Sequence, residues 1–149
     1  MRALSRRAAL ALGVGTAATW AAAGRARATP GEADAAIAKF TGGKQPEPGR
    51  IAIDLPEIAE NGTAVPLAVT VESPMTAADR VTDVLVVADG NPNPRVAAFH
   101  FTPMSGRAEI ATRIRLNATE NVIVVARTGD GRSFTARKEV KVTIGGCGG

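Results

Sequence analysis

The sequence is short of nearly everything that usually carries chemistry. Its 149 residues include one cysteine, one histidine, one tryptophan and no tyrosine, and aromatic residues make up 3%. Each shortage closes a class of function. A blue-copper centre needs two histidines, and the chain has only His100. No cluster has zinc-ligand spacing, and no cofactor is expected. Sugar-binding and single-strand-binding surfaces rely on exposed aromatic platforms. Past residue 28 the aromatic rings besides His100 are Phe40, Phe99, Phe101 and Phe134. A single cysteine cannot close an internal disulfide. Its thiol is therefore buried and inert, paired with another molecule, or reactive. The uncharged stretch near the N-terminus, Ala8 to Ala23, is 16 residues long and mostly alanine, short of the roughly 20 apolar residues that span a bilayer.

That stretch has a different reading. Basic residues at Arg2, Arg6 and Arg7 precede it, and Ala26-Arg27-Ala28 follows it with small residues at the right spacing for cleavage. A basic start, an apolar run and a small-x-small site describe a secretory signal over residues 1–28. The pair Arg6-Arg7, after Ser5, resembles a twin-arginine signal, although Ala9 stands where a bulky residue is usual. The expected destination is the periplasm, with no membrane insertion after processing. The leader also accounts for the basic pI of about 10.0. Of 18 basic residues five lie in it, with no acidic residue, which leaves 13 basic against 14 acidic beyond it. A net charge of −1 gives no support for nucleic-acid binding.

From Thr29 to Phe40 the pattern is helical. Thr29 is placed as N-cap, Pro30 as first helical residue and Glu32 as the capping-box partner. Ala33, Ala36, Ile37 and Phe40 form one apolar stripe. Gly42-Gly43 ends the helix, and Gln45 to Gly49 reads as a proline-containing linker. At Arg50 the period changes to two. Seven strands are predicted: Ile51 to Leu55, Val65 to Val71, Val81 to Ala88, Arg95 to Thr102, Ala108 to Leu116, Val122 to Thr128 and Ser133 to Ile144. Asn61-Gly62, Asp89 to Pro94 and Gly129-Asp130-Gly131 mark turns between them. Seven short strands in residues 50–144 predict an immunoglobulin-like β-sandwich. It is so in the loose sense, because the disulfide, core tryptophan and tyrosine corner of antibody domains are all impossible here. Residues 29–49 form the helix and linker, and residues 145–149 form a terminal arm.

That arm is the candidate site. The chain ends Gly145-Gly146-Cys147-Gly148-Gly149. Glycine loses the most entropy on ordering, and the thiol is the only side chain in the five residues. Fully extended, Gly145 to Cys147 carries the sulfur roughly 10 Å past the last strand. The expectation is a flexible tether that lets a nucleophile enter a pocket on another protein. A solvated thiol has a pKa of about 8.5 and is only slightly ionised at neutral pH, so the enzymes that bind the arm must supply the activation. A partnership with His100 is formally possible, but an unpacked tail cannot hold that geometry, and His100 is assigned a structural or surface role. Arg107, Arg113 and Arg115 form a basic stripe that is read as an ordinary solvated strand face. The Asp89 to Pro94 loop lacks calcium-ligand spacing.

The Gly-Gly-Cys-Gly-Gly terminus, the Val142-Thr143-Ile144 strand before it, the twin-arginine-like leader and the stretch Val81-Thr-Asp-Val-Leu-Val-Val-Ala-Asp-Gly-Asn-Pro-Asn-Pro-Arg95 together resemble the SoxY family, the sulfur-carrier subunits of bacterial thiosulfate oxidation. The resemblance covers essentially the whole chain. It implies that Cys147 is the covalent attachment point for the sulfur substrate and that the protein is a carrier and not an enzyme. It also implies a heterodimer with SoxZ, another small β-sandwich. The arm would be processed by a haem-containing thiosulfate-coupling enzyme, a sulfate-releasing hydrolase and, in some organisms, a sulfane dehydrogenase. Two other classes compete: a ubiquitin-like sulfur carrier activated at its terminal carboxylate, which would require a β-grasp fold with a long central helix, and a plain interaction module.

Overall fold

The computed structural model describes residues 30–143. Residues 1–29, with the expected leader and the Thr29 cap, lie outside that range, as do Ile144 and the arm. The helix forms as the periodicity predicts. α1 spans Pro30–Thr41, with acidic Glu32 in its first turn and Lys39 in its last, both favourable to the helix dipole. Gly42 and Gly43 follow at φ +67° and +82°, the left-handed region where a glycine ends a helix without Cβ strain.

The remaining elements are all strands: β1 (Glu47–Pro48), β2 (Ile51–Asp54), β3 (Ile58–Ala59), β4 (Val65–Val71), β5 (Val81–Ala88), β6 (Arg95–His100), β7 (Ala108–Ile114), β8 (Glu120–Thr128) and β9 (Ser133–Val142). They make two sheets. One has the order β1-β9-β8-β5-β6 with β3 also on β9, and the other has the order β2-β4-β7. The expected β-sandwich is present, and its seven predicted strands are all found, several trimmed at an end. Two strands go beyond the prediction. β1 lies inside the stretch read as a linker. β3 lies between the first two predicted strands. Each has only two residues, too few to show a period. Both pair in parallel with β9, β1 at Phe134 and Thr135 and β3 at Lys141 and Val142.

The core follows from alternation. Val65, Leu67, Val69 and Val71 of β4 face inward against Val84, Val86, Val122, Val124 and Val140 of the larger sheet. At about 25 cal/mol per Å² of apolar surface removed from water, this layer is the main favourable term in folding. The continuous apolar run of β5 has a more specific cause than a central position in a sandwich. Val84 and Val86 face the opposite sheet, while Leu85 and Val87 face outward and are covered, with Ile123 and Val125, by Ala33, Ile37 and Phe40 of α1. The helix is thus a third layer that buries the outer face of β5 and β8. No helix among the described residues is long and apolar enough to cross a membrane.

Candidate functional site

Cys147 and the four arm glycines, Gly145, Gly146, Gly148 and Gly149, lie outside the described residues. What the structure describes is their root, and that root is held on both edges. On one side Lys141 donates its backbone N–H to the Glu57 carbonyl at 2.9 Å, and Thr143 donates to the Ala59 carbonyl at 3.0 Å. On the other side the Val142 N–H donates to the Thr119 hydroxyl at 3.1 Å. β3 therefore acts as a short splint along the last turns of β9. Below it Gly62 packs so closely that a Cβ there would stand 2.2 Å from the Leu116 carbonyl oxygen and 2.9 Å from a methyl of Val142. The Gly62 carbonyl also accepts the Leu116 N–H at 2.8 Å. Glycine is required here for close approach, since no side chain fits.

A buried carboxylate organises the neighbouring loops. Glu120, 4% exposed, opens β8 and is paired in register with Val140. Its Oε2 accepts the Gly90 N–H at 2.8 Å and its Oε1 accepts the Asn117 N–H at 3.0 Å. Asn91, also buried, donates to the Arg115 carbonyl and accepts from the Asn117 N–H. Asp89 accepts twice from Asn121. Burial pushes the Glu120 carboxyl above its ordinary pKa, against the lowering effect of the bonds from Gly90, Asn117 and Ala118. The loop predicted from Asp89-Gly-Asn-Pro-Asn-Pro is thus a latch on the β7–β8 connection. Glu120 was not among the residues singled out in the sequence. It precedes the apolar run that marks β8, and nothing local indicates that it is buried.

His100 is not near the arm. Its Nδ1 lies 2.5 Å from Asp83 Oδ1, while Arg127 grips the other Asp83 oxygen through Nε at 3.1 Å and Nη2 at 2.6 Å. An ionised carboxylate only accepts, so Nδ1 carries the proton, and the His100 side chain is otherwise largely exposed. Burial pushes the Asp83 carboxyl up, but the bonds from Arg127, Thr82 and His100 outweigh it and hold the pKa below the usual range. Arg127 also stacks over the Phe40 ring at 5.2 Å. Arg127 pairs with Ser133 at the start of β9, and the ten residues from Ser133 to Val142, nine steps along the strand, span roughly 30 Å at strand spacing. Four residues from Thr143 to Cys147 reach at most about 14 Å. The cysteine and histidine of one chain therefore cannot form a pair, in agreement with the structural role assigned to His100.

The arginine stripe is likewise ordinary. Arg107 pairs with Glu109 at 3.4 Å, Arg115 bonds Asn117, and all three arginines are exposed. Among the described residues no group of three or more His, Cys, Asp or Glu side chains is placed to hold a metal ion.

Comparison with known proteins agrees with this layout. The model of the family described as sulfur oxidation protein SoxY matches residues 37–147, so the match runs through the arm to Cys147. No curated protein sequence matches. The solved structure of the sulfur carrier protein SoxY from Chlorobium limicola f. thiosulfatophilum aligns with a TM-score of 0.64 and 36% identity, covering 78% of this chain and 100% of that one. Superoxide reductases share the fold alone. The Ignicoccus hospitalis neelaredoxin aligns at TM-score 0.57 and 18% identity over 64% of this chain and 81% of its own. The Nanoarchaeum equitans enzyme aligns at 0.54 and 11% over 64% and 100%.

Proposed function

This chain belongs to the SoxY family, and from that premise we propose that it carries a sulfur substrate on the thiol of Cys147 and presents it to partner enzymes. The sulfur-carrier role comes with the family. The covalent attachment rests on one observation above the others: the last strand is clamped on both edges up to Thr143, and the chain's one thiol follows four residues later between pairs of glycines. A rigid root with a thin tether delivers a nucleophile to a narrow pocket at small entropic cost to the body. A two-sheet sandwich also stands against the ubiquitin-like reading, which needs a β-grasp fold around a long helix.

The same reading covers the partners. The arm would be loaded by a haem-containing enzyme that couples thiosulfate to the thiol, cleared by a sulfate-releasing hydrolase and, where present, a sulfane dehydrogenase, with the carrier held as a heterodimer by a SoxZ-like subunit. Export by the twin-arginine-like leader would place all of this in the periplasm. The test is to co-express the chain with the SoxZ-like subunit, purify the pair from the periplasm, measure its sedimentation, and take the intact mass before and after reductant. The expected result is one heterodimeric species whose reductant-labile sulfur adducts map to Cys147. Two separate species would remove the heterodimer. A Cys147→Ser variant that still supports thiosulfate oxidation would remove the carrier site.

A further inference from the structure

Among the described residues two large hydrophobic side chains are well exposed, Ile58 at 57% and Met104 at 95%. They lie at opposite ends of the sandwich. A lone exposed isoleucine is ordinary on a protein surface. What sets Ile58 apart is its position. It belongs to β3, the splint on the arm root, and is paired in register with Lys141. Its neighbours Ala59 and Val142 both pack into the core, so Ile58 and Lys141 share the outer face. Glu57 and Glu60 flank it, both exposed and neither with a side-chain ion pair or hydrogen bond among the described residues. Lys141 and Glu139 add one charge of each sign on the same face. The collar around the arm root is therefore apolar at one fixed point and net acidic around it.

Tether length makes this collar a contact surface. Thr143 to Cys147 spans at most about 14 Å. An enzyme that takes the thiol to a reacting group below its surface must therefore bring the mouth of its pocket close to Thr143, onto β3 and its flanks. We infer that Ile58, with Glu57 and Glu60, forms the docking collar for arm-processing enzymes, whose channel mouths present an apolar hollow rimmed by cationic side chains. This rests on the carrier reading above. The apolar contact would set residence time, and the unpaired carboxylates would steer encounter, so the charge contribution acts on association rate and fades with salt.

The experiment uses the native heterodimer with the haem-containing thiosulfate-coupling enzyme. The rate of loading of Cys147 is followed by mass, beside the rate at which the thiol reacts with a small aromatic disulfide. Ile58→Asp is expected to lower kcat/KM for loading at least tenfold through KM, with the small-reagent rate, the urea midpoint and the sedimentation unchanged. The pair Glu57→Lys and Glu60→Lys is expected to slow loading at low salt and to converge on wild type near 1 M. Met104→Asp, at the far end, is expected to load normally. Loading of Ile58→Asp at the wild-type rate would overturn the collar while leaving the carrier reading intact. So would an equal loss in Met104→Asp, or dissociation of the heterodimer by Ile58→Asp. A wild-type protein that takes no sulfur at all would instead sink the carrier reading.

Discussion

The two ends of the sandwich are held together by different physics. At the arm end the clasps are backbone bonds and short neutral side chains: Glu57, Ala59 and Thr119 on the root of β9, Gly62 against Leu116, and Asn91 on Arg115 and Asn117. The charged groups in that web are Glu120, which is buried, and Asp89, which is half-buried and accepts twice from Asn121. At the opposite end the clasps are ion pairs of graded burial, from the buried Asp83 carboxylate between Arg127 and His100, through the half-buried Arg50–Asp79 pair, to the more exposed bonds of Arg132. Arg50 meets Asp79 at 2.6 Å, Arg132 meets Asp130 at 2.6 Å and Asp79 at 3.8 Å, and Arg50 and Arg132 both lie over the Phe134 ring. Arg50 takes φ 61° to do this, a conformation disfavoured for a residue with a Cβ, and its bonds to the Glu72 carbonyl and to Asp79 hold it there. Hydrogen bonds between neutral groups respond little to salt, whereas the more exposed ion pairs, those of Arg132 with Asp130 and Asp79, are screened. The end that carries the arm is therefore expected to respond less to salt than the exposed Arg132 pairs at the other end.

Three changes sharpen this contrast. The largest effect is expected from Gly62→Ala. The new methyl has a backbone carbonyl at 2.2 Å and Val142 at 2.9 Å, so strand and loop must part. The cost should lie at or above the upper end of the roughly 1–3 kcal/mol typical of overpacking, read as a lower urea midpoint together with faster amide exchange at Val142 and Thr143. Exchange confined to the far end would show that the root is not held as described.

Glu120→Gln comes next. An amide offers one acceptor oxygen where the carboxylate uses two, so one of the two bonds is lost. The Asn117 N–H keeps Asn91 Oδ1 in either case, and the cost approaches the roughly 1–3 kcal/mol of an unsatisfied donor only where Gly90 is the one released. The pH signature separates the two ends further. Glu120 has a raised folded pKa, so its contribution is present below the ordinary glutamate value and is lost as pH rises through the raised value. Asp79, Asp83 and Asp130 behave oppositely. The bond from Arg50 lowers Asp79, Arg127 and its neighbours outweigh burial at Asp83, and the Thr128 hydroxyl with Arg132 brings Asp130 to about 2. Their contribution is present above the ordinary aspartate range and disappears as pH falls through the lowered values. Stability of the wild type should decline from the ordinary glutamate range upward through the Glu120 titration, and Glu120→Gln should flatten that arm of the curve while leaving the acid arm unchanged.

The smallest effect belongs to Asp79→Asn. It removes the charge shared by Arg50, half-buried with a side chain 24% exposed, and Arg132, with a side chain 49% exposed. The loss in urea midpoint should be modest at low salt and shrink toward 1 M, where the screening length falls to about 3 Å, the half-buried Arg50 bond being the part screened least. A loss undiminished at high salt would mean that the far end is held by packing and not by charge.

The legible parts of this protein were those written locally. The seven main strands and α1 carry their own periods, and Gly42-Gly43 its own stop. β1 and β3 were invisible because two residues have no period, and they form only because β9 offers an unpaired edge to dock against. Asp83 and Arg127 lie 44 residues apart, and no spacing rule joins them. Glu120 looks like any loop carboxylate until β8 and the Asp89 to Pro94 turn close over it. The run Val81 to Ala88 was read correctly as a strand, but the reason both of its faces are apolar had to come from α1 lying on the outer one.

Taken by itself, the order of residues determined which segments alternate, where the helix stops, and that the only thiol sits among glycines at the end. These follow from side-chain period and backbone entropy within a few neighbours. Tertiary structure decided that β3 splints the arm root, that Gly62 must lack a side chain, that Glu120 is buried, and that His100 is too far from the root to serve the thiol. Those depend on which distant surfaces meet when two sheets and a helix exclude water together, and burial of that kind is a property of the whole chain.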